Sequence, residues 1–344
     1  MKLRALIFGR ALALSALCAA VSVGVVAAQG QPGKGAAAPQ APEAEMKAAQ
    51  TVQNAPDTNA AIVAADAFVK KYPKSTLRPQ LLRLVAGRIE EERDAAQRAT
   101  LSENFLKTFN SPAEANIIKP VLVQSYVAAK RLDDAYRVAD PSAVDQFEDP
   151  LAMLITLTMT GAQEGQQKNT KYVQQSQQLG MKAIEILEAD RKPADTDAAA
   201  WGEYKAKWLP LVYHYLAVMS YTTGNSADAK AKIEKAAALN STDPFTYLLR
   251  GRIADEEYEQ LANQHKAASG AAKDELLKKA LAQMDMVVDA YAHAVALTEG
   301  DARYEQLRAQ LMPLLENYYK FLNKGSTDGM KKLIDKYKKP ATTP

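Results

Sequence analysis

Residues Tyr213–Leu239 read YHYLAVMSYTTGNSADAKAKIEKAAAL, and this stretch decides the fold class. Tyr213, Leu216, Ala217 and Tyr221 recur at i, i+3, i+4 and i+8, the stripe of a helix with one buried face. Gly224-Asn225-Ser226 interrupts it. Glycine ends a helix with positive φ, and Ser226 is placed to cap the next one. Ala229, Ile233, Ala236 and Ala237 form a second stripe. Leu239-Asn240-Ser241 closes that helix, and Asp243-Pro244 opens another, with Asp as N-cap and Pro at the first helical position. Small residues at Ala217, Ala229 and Ala236 let two antiparallel helices approach closely.

The spacing resembles a tetratricopeptide repeat, whose period is about 34 residues. With Pro210 as the first position, Tyr213 stands where the family favours Trp. Leu216 and Ala217 stand at its Leu-Gly pair, and Gly224 at the inter-helix turn. Ala229 and Ala236 take its two Ala positions, Ile233 the large aromatic slot and Leu239 the Leu before Asp-Pro. Two positions depart: Ser220 replaces the usual Tyr, with Tyr221 one place late, and Ser241 replaces the terminal Pro. Ala294-Val295-Ala296-Leu297 echoes Ala236-Ala237-Ala238-Leu239 at an offset of 58 residues, 24 more than the period. Twelve extra residues in each helix of one hairpin account for that excess. Accordingly Phe245–His265 and Lys273–Leu297 read as long helices with their tip at Ser269-Gly270. Phe68, Tyr72, Pro73 and Ser75 match the F-x-x-x-Y-P-x-S ending of repeats in bacterial envelope proteins of this family. Phe105–Ser111 is a degenerate copy, and Ser111-Pro112-Ala113-Glu114 has the form of a capping box.

The resemblance implies an all-α, right-handed superhelix of antiparallel hairpins over residues 43–338, with best repeats at 210–243 and 244–300. Composition agrees. The chain has 344 residues, 47% of them hydrophobic, and no period-2 alternation bounded by turn signals after residue 28. A solenoid also avoids the size limit of a single compact core, because each helix pair contacts only its neighbours.

The N-terminus has the pattern of a secretory signal peptide, residues 1–28. Lys2, Arg4 and Arg10 precede the uncharged run Ala11–Ala28, and Val26-Ala27-Ala28 offers small residues for cleavage before Gln29. The run is about 18 residues, so retention as an anchor is the alternative reading. Leu17 before Cys18 is a poor match to a lipoprotein signal. Cleavage after Ala28 removes the only cysteine, and with it any disulfide, thiol nucleophile or cysteine metal site. It also removes three of 43 basic residues, leaving 40 against 40 acidic. The net charge of +3 is thus a property of the leader, and no clustered positive charge suggests nucleic acid. Residues 29–42, rich in Pro, Gly and Ala, read as a linker, and 339–344 as a tail. Lys331, Lys332, Lys336, Lys338 and Lys339 form a local excess, read as a solvated helix cap, with contact to anionic lipid or polymer as the alternative.

Signals of chemistry are sparse. His214, His265 and His293 include no i, i+4 pair and no His-Glu-x-x-His. There is no Gly-x-Ser-x-Gly elbow and no phosphate-cradling loop before Lys-Ser or Lys-Thr. Glu90-Glu91-Glu92 and Asp255-Glu256-Glu257 read as solvated faces. No catalytic residue, cofactor or metal site is therefore expected, and the chain is not expected to be an enzyme. The resemblance instead implies a groove lined by the first helix of each hairpin. It places His214, Val218, Tyr221 and Thr222 there in one repeat, and Leu248, Arg252 and Asp255 in the next. His214, Tyr221, Arg252 and Asp255 are the candidate partner-binding residues: an arginine and a tyrosine suit an extended peptide. The lysine and asparagine positions with which some members hold a carboxylate terminus are His214 and Val218, so C-terminal capture is not expected. Trp201, Tyr204 and Trp208 lie at i, i+3 and i+7, read as core between hairpins, with an exposed partner patch as the alternative. The expected function is a non-catalytic protein-interaction scaffold of the bacterial cell envelope, periplasmic or secreted, that binds a protein or peptide. The alternatives are an obligate subunit of an outer-membrane or polymer-export machine, and a polysaccharide-active enzyme on a helical toroid.

Overall fold

Helix boundaries follow local chemistry. Asp57, Asp94, Asn225 and Asp243 each accept a first-turn backbone N–H, from Ala60, Gln97, Asp228 and Phe245 respectively. Such caps contribute about 1 kcal/mol each. A computed structural model describes residues 42–193 and 196–338. The leader, the linker up to residue 41 and the tail from 339 lie outside the described residues. Among the described residues 77% are helical and none is in a strand, which makes the fold all-α.

Fourteen α-helices are described. They are α1 (Glu43–Gln53), α2 (Thr58–Lys71), α3 (Arg78–Glu90), α4 (Ala95–Thr108), α5 (Pro112–Ala128), α6 (Leu132–Val138) and α7 (Leu151–Gln166). There follow α8 (Val173–Glu188), α9 (Ala198–Thr222), α10 (Ser226–Ala238), α11 (Pro244–Ala267), α12 (Ala271–Thr298), α13 (Glu305–Leu322) and α14 (Met330–Asp335). None is long and apolar enough to cross a membrane. The chain divides into two compact units, one running to Leu157 and including Arg191–Trp201, the other holding Thr158–Asp190 and the chain from Gly202.

In the first unit Val52, Ala61, Phe68, Leu82, Ile89, Phe105 and Ile118 share one core. The two related F-x-x-x-Y/F sequences end two helices in the same way. Phe68 and Tyr72 close α2 with ring centroids 5.2 Å apart, and Phe105 and Phe109 close α4 at 4.8 Å. The capping box expected at Ser111 is replaced by another arrangement. Ser111 makes no cap hydrogen bond to the backbone and instead donates to the Glu114 carboxylate. That carboxylate is held by Arg78, whose Nη2 lies 2.6 Å away, because a half-buried guanidinium outcompetes a backbone N–H for it.

In the second unit, residues 213–239 form two helices joined by a three-residue turn, α9 ending at Thr222 and α10 starting at Ser226. Asp228 and Lys232 of α10 both bond back to Ser220 of α9, which holds the hairpin shut. Ala217, Ala229, Ile233 and Ala236 have no exposed surface, while Leu239, beyond the last turn, is 38% exposed. The helix does not start at Pro210. It begins at Ala198 and runs through that proline, about three turns earlier than the spacing suggested. A Cβ at Gly161 of α7 would stand 2.0 Å from Ser176 Oγ of α8, so this crossing of α7 and α8 requires glycine.

The long helices α11 and α12 make the most extensive helix contact in the second unit. Their close approach depends on Gly251, whose missing Cβ would lie 2.3 Å from the Tyr291 ring. Tyr247, Ala254, Val287, Val288, Tyr291, Ala294 and Val295 form a core with Leu311 and Leu315 of α13 and Ile334 of α14.

Candidate partner-binding trough

The face presented by α11 is built on residues one turn apart. Arg252, Asp255, Glu256 and Glu259 follow i, i+3, i+4 and i+7 and share one side of the helix. Two tyrosines from other helices stand over this floor. The Tyr221 hydroxyl at the end of α9 donates to Glu256, and the Tyr318 hydroxyl of α13 donates to Asp255 at 2.7 Å. Tyr291 packs behind Tyr318, with centroids 5.9 Å apart. Lys230 of α10 holds Glu257 at 2.6 Å at one edge.

This arrangement leaves Arg252 alone. Asp255 and Glu256 are at the i+3 and i+4 positions from which a carboxylate ordinarily pairs with an arginine. Both accept a tyrosine hydroxyl. Arg252 is exposed and makes no hydrogen bond or ion pair among the described residues. Burial pushes the Tyr221 hydroxyl up to about 12, and the Glu256 carboxylate it bonds adds to that. Burial, and next its bond to Asp255, raises Tyr318 further, and burial takes Tyr291 to about 12. All three remain neutral donors at any physiological pH. Arg252 thus presents an exposed guanidinium on the same helix face as Asp255 and Glu256, whose carboxylates each accept a tyrosine hydroxyl.

Three of the four residues expected from the sequence, Tyr221, Arg252 and Asp255, meet here. The fourth does not, and the expectation for His214 is corrected. Its side chain is 5% exposed, with Nδ1 3.4 Å from Thr246 Oγ1. Burial drives its pKa down and Asp243 opposes that. It is an interior neutral imidazole with no path to a partner. Val218 is also buried, whereas Thr222 is exposed and Leu248 half-buried. Glu256 and Tyr318 had no distinguishing sequence signal. Glu256 lies in an acidic run, and Tyr318 is brought to α11 from 63 residues away.

Two further polar clusters are interior. Ser220, which bonds Asp228 and Lys232, and Thr246, which bonds Ser241, have no exposed surface. Among the described residues no group of three His, Cys, Asp or Glu side chains is placed to hold a metal. His265 is half-exposed near the hairpin tip. His293 is sandwiched between the rings of Tyr247 at 3.5 Å and Tyr337 at 4.1 Å. Trp201 is 5% exposed, while Tyr204 and Trp208 are half-buried with centroids 6.1 Å apart. Burial raises the Tyr204 hydroxyl to about 12. The C-terminal lysines are largely engaged: Lys331 with Asp335, Lys336 with Asp289 and Lys338 with Glu299. No protein-family model and no curated protein matches the chain.

Proposed function

We propose that this chain is a non-catalytic scaffold that binds a protein or peptide partner across the α11 trough. In this reading its hairpins stack as a tetratricopeptide-like, right-handed superhelix. The leader directs it out of the cytoplasm, so that it works in the periplasm or outside the cell. One observation carries the binding proposal: Arg252 is exposed and, among the described residues, its side chain makes no hydrogen bond or ion pair. The exposed guanidinium is open to an incoming acidic side chain or peptide carbonyl. The phenol rings on either side supply amphipathic contact area at low entropic cost.

The test compares crosslinked partners captured in the producing cell by the wild-type chain and by Arg252→Glu. Loss of a charge-assisted hydrogen bond costs about 1.5–3 kcal/mol, so capture should fall roughly ten- to hundredfold. Circular dichroism should be unchanged, because Arg252 holds nothing in the fold. Undiminished capture by Arg252→Glu would end the proposal.

A further inference from the structure

The C-terminal helix α14 is joined to the second unit by a ring stack, a thin apolar contact and a few surface bonds. A turn separates it from α13, with Gly325 and Gly329 at φ 89° and 87°, where glycine carries no steric penalty. Of the six residues of α14 only Ile334 is buried. Just beyond it, Tyr337 lies flat on His293 of α12, with ring centroids 4.1 Å apart and planes within 9° of parallel. Tyr247 of α11 covers the other face of that imidazole at 3.5 Å. Tyr247 is a core residue, whereas Tyr337 is half-buried. Only the outer ring can leave without breaking the core.

The charges around this sandwich are already matched. Asp289, one turn before His293, accepts the Tyr337 hydroxyl. The same carboxylate faces Arg250 of α11 at 3.5 Å and Lys336 at 3.7 Å. Arg250 also holds Glu234 of α10 at 2.9 Å, and Lys338 holds Glu299 at 2.9 Å. A proton on His293 would put a third cation around one engaged carboxylate. Ring faces attract a cation, yet burial dominates and pulls the imidazole pKa down to about 4; Asp289 opposes this, and Arg250 and Lys336 add to it. With Tyr337 lifted away, water reaches the ring and its ordinary value of roughly 6.5 returns.

We infer that α14 and Tyr337 form an acid-released strap: protonation of His293 frees the segment from Met330 to Lys338 while the α11–α12 hairpin beneath it stays folded. Met330, Leu333 and Ile334 pack on the core that includes Leu311 and Leu315 of α13, so release uncovers an apolar edge of that core. The strap is independent of Arg252. Its open form takes up the proton first, so opening grows as the pH falls from about 6.5 towards about 4.

Amide hydrogen exchange of the purified chain tests this, read as protection factors so that the chemical pH dependence of exchange cancels. The reporters are Leu333, Lys336 and Tyr337, whose N–H groups donate to the carbonyls of Gly329, Lys332 and Ile334. Their protection should stand at least about tenfold below that of the α12 core amides at every pH, because the strap opens alone. Between pH 7 and pH 5 it should fall roughly twentyfold. In His293→Phe that fall should shrink to less than about threefold. If that variant does not fold, Tyr337→Leu, which removes the outer ring, should lower the protection of α14 already at pH 7 and flatten its pH dependence. Protection that is insensitive to pH would overturn the inference. So would a fall of full size in His293→Phe or Tyr337→Leu, which would assign release to Asp289 or Glu299. Protection equal to that of the α12 core would also overturn it, since α14 would then open only with the whole unit.

Discussion

The two ends of the α11–α12 hairpin differ more than its sequence suggests. At the base, Tyr247, Ala254, Val287, Tyr291 and Val295 are almost wholly buried. Towards the tip, from Glu256 to Ala267 and from Ala271 to Ala282, only Ala280 is buried. Yet both ends are helical without a break. Ala271–Met284 reads AAKDELLKKALAQM, nearly all strong helix formers. Its Lys279–Glu275 pair spans i, i+4 at 2.6 Å but is exposed, and adds a few tenths of a kcal/mol at most. The base contains Gly251 and β-branched residues, which favour helix less, and it is held by packing. Local propensity thus sustains one end and burial the other.

The sharpest way to break that contrast is to delete a large side chain at each end. Tyr247→Ala, 2% exposed in the parent, should cost about 3–5 kcal/mol in urea unfolding. Leu281→Ala at the tip should stay within about 0.5 kcal/mol. Equal losses would show that the tip is packed after all. Next in size is Gly251→Ala. Its Cβ must displace the Tyr291 ring, and overpacking of this kind costs about 1–3 kcal/mol. A neutral or stabilising result would mean that helix propensity governs the base as well.

A further effect concerns pH. Burial holds the His293 pKa down at about 4, and the carboxylate of Asp289 opposes that only in part; Arg250 and Lys336 lower it a little more. An imidazole in the unfolded chain titrates near roughly 6.5, so the unfolded state takes up the proton first. The stability due to neutral His293 is intact above about pH 6.5 and is lost as the pH falls towards about 4. His293→Phe keeps a ring between Tyr247 and Tyr337 and removes this loss. Its urea midpoint should drop less than the parent's over that window. Buried His214 has a depressed pKa for the same reason and leaves a residual slope. A slope unchanged by His293→Phe would assign the acid sensitivity to His214 or to carboxylates.

Helix extents were readable from residue spacing, because periodicity and caps act over a few residues. The reading located the turn at Gly224-Asn225, the tip near Ser269-Gly270 and the start at Asp243-Pro244. Arg252 and Asp255 share a face because they lie one turn apart, and the Tyr221 hydroxyl reaches that helix through Glu256. The reading misplaced His214 because a periodic pattern ranks faces without measuring depth. Thr246, which reaches that imidazole, arrives from the next helix, and Ser241 of the preceding loop bonds Thr246. The capping box at Ser111 was misread for a related reason: Arg78, 36 residues distant, claims its glutamate.

By itself the chain's order of residues determined that it is helical and where most of its turns fall. Those properties depend on hydrogen bonds and dihedral preferences closed within four residues. Packing between helices alone decided which carboxylates Tyr221 and Tyr318 would reach. Such outcomes depend on which distant side chain reaches a group first, and that competition is settled only once the helices are assembled.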